Sequence, residues 1–422
     1  MYHRNPGRLP CLPKARRAEL TFRHNSAQGR HGWLRLTPAF SVKVVNDILA
    51  RSIAPLRVLD PFSGTGTTAL CAAMRGYSAS GLDINPFLVW LGNAKVDSYD
   101  PSALAQAQSA SIEALCLLGS ADCRACDPPP IFNIERWWSP DSLAFLCRLM
   151  GAIAVAAPNE GRVRNLLLIA FCRTMISLSN AAFNHQSMSF KPGGAESLQG
   201  RLFKESEGRH REQRFCDDVA SVLAGAAQNP TATAAIELAD ARWVSEVFKG
   251  KSDLLITSPP YPNRMSYIRE LRPYMYWLGY LNDARDAGEL DWRAIGGTWG
   301  VATSRVAEWR MDPETYFPDY LPPLLDMIRS ADAKSRVVLA CYVGKYFEDI
   351  WRHLVSVLKV MKRGSEMHYI VGNSKFYHVL IPVEAVYHDM LIRAGASQVA
   401  VKPLRKRNSK KELVEFDVVA VA

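Results

Sequence analysis

Two short segments carry residue types and spacings that could do chemistry. The first, Asp60-Pro61-Phe62-Ser63-Gly64-Thr65-Gly66-Thr67, sets two glycines in a polar turn. Glycine lets backbone approach a ligand closely and adopt conformations that a side chain would block. Far downstream, Ser258-Pro259-Pro260-Tyr261 offers a hydroxyl, a rigid backbone and an aromatic face. The two prolines fix the local backbone and remove two N–H donors. The Ser258 hydroxyl oxygen and the Pro259 carbonyl can accept hydrogen bonds, and Tyr261 can stack on a flat ring. Between the two segments stands Asp83, at the end of the stretch Ser78-Ala79-Ser80-Gly81-Leu82. A carboxylate in that place can accept from both hydroxyls of a ribose.

These residues need elements to hold them. Arg57-Val58-Leu59-Asp60 reads as a short strand running into the glycine turn, and residues 69–74 read as the helix after it. Strand, glycine turn and helix form the unit that brings backbone against a nucleotide. Residues 78–83 read as a second strand, and a helix over 87–95 follows Asn85-Pro86. From 101 to 233 the strand signal is thin. The apolar density there predicts helices over 143–157, 163–176 and 217–227, with a polar loop over 180–194. Strands resume at 235–240 and 253–257, and the second of these runs straight into Ser258. Helices over 265–280, 316–329 and 346–360 are expected. Strands are expected over 336–341, 367–371, 398–401 and 416–421.

Composition bounds the class. The 422 residues suffice for one large domain with an insertion, or for two domains. With 48% hydrophobic and 22% charged residues, the chain has the make-up of a soluble globular protein. No apolar run approaches the roughly 18 residues of a membrane span. The basic N-terminal stretch lacks an apolar core, so no secretory signal is expected. Nine cysteines without a framework spacing fit a reducing compartment. Cys123 and Cys126 form a lone CxxC with no second pair, and we read the spacing as coincidence rather than as a zinc site. The net charge of +10 favours a polyanionic partner. Basic residues gather in three places: before residue 36, over 201–214, and over 402–411.

Each of the two segments follows an apolar strand, in a fixed chain order. Together they resemble the cofactor loop and the catalytic tetrapeptide of amino-group DNA methyltransferases. The resemblance implies an α/β fold: a class I methyltransferase (Rossmann-like) seven-stranded sheet with a largely helical insertion. Residues 1–100 would then open the core, 101–233 form the insertion, and 234–422 complete the core. S-adenosylmethionine is the implied cofactor. Asp60, Pro61, Phe62, Ser63, Gly64, Thr65, Gly66 and Thr67 would hold its methionine and ribose part. Asp83 matches the acid after the second strand, and Asp240 the acid after the third, which contacts adenine. Within residues 31–41, Phe40 is the best match to the family's N-terminal cofactor segment. The long stretch between the second and third strands departs from the family pattern.

The implied substrate is double-stranded DNA, with cytosine N4 in a specific sequence favoured. An exocyclic amine is a poor nucleophile, because its lone pair is delocalised into the ring. Acceptors at Ser258 and Pro259 can help it pyramidalise, while Tyr261 stacks on a base flipped out of the duplex. C5 chemistry needs a nucleophilic cysteine, and Tyr261 stands where that family has one. Adenine N6, an RNA substrate, and a non-catalytic nucleic-acid-binding role remain as alternatives. Asn184, His185, Gln186 and Lys191 are the candidate sequence readers, since such side chains pair with base edges. Arg405 and Arg407, in a hairpin connection, are the candidate phosphate contacts. The resemblance further implies a cytoplasmic, bacterial-type, nucleoid-associated enzyme with no membrane contact. A cognate restriction endonuclease is a candidate partner, and the oligomeric state is left open.

Overall fold

The computed structural model describes residues 18–20, 22–34, 36, 41–52, 56–120, 123–182, 189–190, 204–262, 266–297, 301–407 and 412–422. Among these, seven strands form one sheet. They are β1 (Arg57–Asp60), β2 (Ser78–Asp83), β3 (Ala234–Leu238), β4 (Ser252–Thr257), β5 (Met361–Gly372), β6 (Gln398–Lys406) and β7 (Val414–Val421). Their order is β6-β7-β5-β4-β1-β2-β3. β7 runs antiparallel to both neighbours, and the other pairings are parallel. This is the Rossmann-like methyltransferase arrangement. The strand order reverses between β1 and β4. In open α/β sheets, ligands bind at such a switch point, outside the carboxyl ends of the strands. Both chemical segments leave the sheet there.

Alternation along the short strands assigns side chains to two buried faces. Val58, Leu254, Ile256 and Ile370 pack beneath α1 (Val42–Leu49) and α2 (Thr67–Met74). Leu59, Leu255, Met367 and Tyr369 face the opposite way. There they meet α7 (Arg336–Leu358) and α8 (Val383–Ala394). A strand buried on both faces must be apolar throughout, which is why Val58-Leu59 and Leu254-Leu255-Ile256 read as continuous runs.

Local chemistry starts several helices. Asn85 accepts a hydrogen bond from the Phe87 N–H at the head of α3 (Pro86–Val96), with proline at the first helical position. Asp100 does the same for α4 (Pro101–Leu117), capping Ala103 N–H at 2.7 Å. Ser139 caps the helix Pro140–Ala156. With α5 (Arg162–Ser177) and the helix Lys204–Ala226, these helices fill the chain between β2 and β3. Their shared core includes Trp138, Leu146, Phe171 and Phe215. It also takes in Tyr274 and Trp277 of α6 (Tyr267–Trp277).

One expected strand is a helix. Residues 336–341 open α7, which continues unbroken to Leu358. A short apolar run has no readable period, and here it opens a helix of 23 residues. The strand expected over 235–240 ends at Leu238, and Asp240 instead caps a short 3-10 turn. Within the expected loop 180–194, Ala181–Ala182 pairs with Ser189–Phe190 as a hairpin.

Candidate active site

The glycine turn folds over the carboxyl end of β1. Gly64 has φ +52° and Gly66 φ +75°, both left-handed. A Cβ on Gly66 would lie 3.1 Å from the Gly92 Cα in α3, so the turn and that helix touch through two glycines. Ser63 N–H donates to the Leu82 carbonyl at 2.9 Å, tying the turn to β2. Phe62 packs edge-on against His353 of α7, ring centroids 4.7 Å apart. Thr65 and Thr67 share a hydroxyl–hydroxyl bond of 3.2 Å. The buried Lys95 ammonium donates to the Thr65 carbonyl at 3.0 Å, bracing the turn from α3.

Two carboxylates flank this turn. Asp60 is buried; its Oδ1 accepts from the Thr257 hydroxyl at 2.5 Å and from Phe62 N–H at 3.2 Å. Its Oδ2 is buried and has no hydrogen-bond partner among the described residues. Asp83 accepts from Gly64 N–H and from Asn85 N–H, each at 2.8 Å. Burial pushes both carboxyls up from 3.8 to about 6. Asp240 lies on the neighbouring connection. It accepts from the guanidinium of Arg242, which also pairs with Asp349 at 2.9 Å.

The Ser258-Pro259-Pro260-Tyr261 turn leaves β4 beside the glycine turn, joined to it by the Thr257–Asp60 hydrogen bond. The Ser258 hydroxyl donates to the Ile370 carbonyl at 3.2 Å, which leaves its oxygen able to accept. The Tyr261 hydroxyl donates to Glu415 Oε1 at 3.0 Å, and Glu415 is ion-paired with Arg405 at 2.7 Å. The Tyr261 N–H donates to the Tyr267 hydroxyl at 3.2 Å. The Arg407 guanidinium lies over the Tyr261 ring, 4.8 Å from its centroid. Burial and the adjacent Glu415 hold the Tyr261 phenol well above its ordinary range.

Thus Asp60 through Thr67, Asp83 and the tetrapeptide converge at the carboxyl edge, with Asp240 on the connection beyond β3. Arg405 sits within β6 rather than in the hairpin connection, and Arg407 directly follows that strand. Phe40, Asn184, His185, Gln186 and Lys191 lie outside the described residues. Sequence reasoning missed Thr257, Lys95, Tyr267 and Glu415. A glutamate inside the apolar final strand was a signal, because a carboxylate there needs a partner.

Comparison with known proteins decides the kinship. The chain is 22% identical over 353 residues to the type II methyltransferase M.MvaI of Kocuria varians. That alignment covers 79% of this chain and 74% of the relative. It is 20% identical over 427 residues to M.AvaI of Nostoc sp. (strain PCC 7120), covering 93% and 85%. A shorter match, 35% over 69 residues, links it to M.BsoBI of Geobacillus stearothermophilus, covering 16% and 14%. The chain is a distant homologue of type II methyltransferases. The homology spans most of its length. No family profile matches the chain. Among the described residues, no helix is long and apolar enough to cross a membrane. Nor is any group of three His, Cys, Asp or Glu placed to hold a metal ion.

Proposed function

We propose that the protein transfers a methyl group from S-adenosylmethionine to the exocyclic amine of a DNA base, with cytosine N4 as the target. The observation that carries this reading is the hydrogen bond from Thr257 to Asp60. It holds the glycine turn and the tetrapeptide side by side at the switch point of the sheet.

The crevice fits the cofactor chemically. The buried, unpartnered Asp60 Oδ2 suits a cationic group, and Asp83 suits ribose hydroxyls. The left-handed glycines permit close backbone approach. Bound there, S-adenosylmethionine would supply an electrophilic methyl. Ser258 Oγ and the Pro259 carbonyl would accept hydrogen bonds from the two N–H groups of the target amine and help it pyramidalise. Tyr261 stacks on the flipped base. Alignment of the amine within the crevice supplies much of the rate. The tetrapeptide contains no strong base, and the methylated nitrogen would lose its proton to water after transfer. Ser258 at the first position favours cytosine N4 over adenine N6. The absence of cysteine after Pro260 argues against C5.

The type II relatives support DNA as substrate, and a cognate restriction endonuclease is the partner we propose. Asn184, His185, Gln186 and Lys191 stay with us as proposed sequence readers. The test is incorporation of labelled methyl from S-adenosylmethionine into duplex DNA, with tRNA in parallel. Label in duplex DNA alone is expected; label in tRNA alone would replace this reading.

A further inference from the structure

Arg407 is held at the catalytic turn by a site shaped for it. Its Nη1 donates to the Asn373 carbonyl at 2.8 Å. Asn373 is itself fixed: its side chain donates to the Glu412 carbonyl at 2.8 Å and accepts from Val414 N–H at 2.9 Å. The Arg407 N–H donates to the Leu413 carbonyl at 2.9 Å. Gly372, at the end of β5, leaves room beneath the guanidinium. A Cβ there would lie 2.7 Å from Arg407 Nη1. From this seat the guanidinium covers the Tyr261 ring.

Arg405 reaches the same tyrosine by another route. It binds Glu415 through two nitrogens, at 2.7 and 3.0 Å, and Glu415 accepts from the Tyr261 hydroxyl. The register of β6 on β7 shifts between Pro403 and Arg405. Such an irregularity re-aims side chains beyond it. Two arginines two positions apart therefore fix one ring, Arg405 at its edge through a carboxylate and Arg407 at its face. A cation over an aromatic face is attracted by the ring quadrupole, and more strongly when desolvated.

We propose that Arg407 is a positioning residue for methyl transfer: it covers one face of Tyr261 and fixes the plane of the ring on which the flipped base stacks. This rests on the reading of Tyr261 as the base-stacking residue. It replaces the phosphate contact expected from sequence. A phosphate contact contributes counterion release, while a ring-positioning cation contributes to alignment of the amine.

The experiment compares the full-length protein with Arg407→Ala and Arg407→Lys, both checked for a native circular-dichroism spectrum. On duplex DNA, Arg407→Ala is expected to lower kcat about tenfold, the scale of a desolvated cation–π contact. The KM for S-adenosylmethionine and the salt slope of DNA binding should stay as in the wild type. Arg407→Lys, which keeps a cation, should recover part of kcat. An unchanged kcat in Arg407→Ala would overturn the proposal. So would a salt slope reduced by about one with kcat intact, the mark of a lost phosphate contact. A second readout needs no turnover. In 3-fluorotyrosine-labelled protein, the Tyr261 fluorine signal is assigned by its loss in Tyr261→Phe. It should shift in Arg407→Ala, and an unmoved signal would overturn the proposal. A shifted signal in a protein that methylates no DNA would support the positioning and count against the DNA methyltransferase reading alone.

Discussion

The Thr257 hydroxyl donates to the Asp60 carboxylate across the β1–β4 boundary at 2.5 Å. One bond thereby joins the last residue of each of the two strands that carry chemistry. Thr257→Val keeps the shape and removes the donor. Asp60 would keep its Phe62 N–H bond and lose its shortest contact. The expected cost is about 1.5–3 kcal/mol, the range for a hydrogen bond to a charged group. Urea unfolding measures it, and wild-type stability in Thr257→Val would show that the bond contributes nothing.

The two raised carboxyls set a pH window. Asp60 and Asp83 stand at about 6 in the folded protein, above their ordinary 3.8, because burial disfavours the charge. Between about pH 4 and 6 the folded protein keeps protons that the unfolded chain has released, so this contribution to stability falls as pH rises and is flat above. A cationic ligand favours the ionised pair, so S-adenosylmethionine affinity should rise through the same window. Calorimetry from pH 5 to 8 checks this. Asp60→Asn should flatten the stability profile and weaken binding. A cofactor affinity independent of pH in the wild type would count against both carboxylates as ligands.

The two glycines of the turn should fail differently. A Cβ on Gly64 meets little, with the Phe62 carbonyl 3.9 Å away. Gly64→Val should therefore act through backbone strain and by filling ligand space, and abolish cofactor binding in a folded protein. Gly66→Ala adds a clash with Gly92 to left-handed strain, of order 1–3 kcal/mol. It should lower the melting temperature. Wild-type cofactor affinity in a folded Gly64→Val protein would mean that the turn's space is not reserved for a ligand.

Tyr261 offers a graded series. Tyr261→Ala should lose base stacking, worth about 1–3 kcal/mol, with cofactor affinity nearly intact. Tyr261→Phe keeps the ring, loses the bond to Glu415, and should fall between. Ser258→Ala should lower turnover more than DNA affinity. Steady-state kinetics on duplex DNA separates these, and wild-type rates in Tyr261→Ala would remove the tetrapeptide from the reaction.

The parts legible in sequence were those governed by local chemistry. Val58-Leu59 running into the glycine turn announced β1 and its loop. Asn85-Pro86 announced the start of α3. Asp100-Pro101 carried the same signal for α4 and went unread. Residues 336–341 were misread because their run is too short to show a period, and its continuation into α7 depends on what it packs against. Tertiary pairing hid the rest. Nothing near Arg407 in sequence points to Tyr261, and nothing near Glu415 points to the Tyr261 hydroxyl. Both contacts exist because β7 enters the sheet antiparallel between β5 and β6.

The central claim is that an exocyclic amine of a DNA base receives the methyl. Duplex DNA lacking prior methylation is incubated with the protein and S-adenosylmethionine, digested to nucleosides and analysed by mass spectrometry. The expected product is N4-methylcytosine, absent when Ser258→Ala and Tyr261→Ala are combined. N6-methyladenine would overturn the choice of base and keep the amino chemistry. 5-Methylcytosine, or no methylated nucleoside at all, would contradict the account.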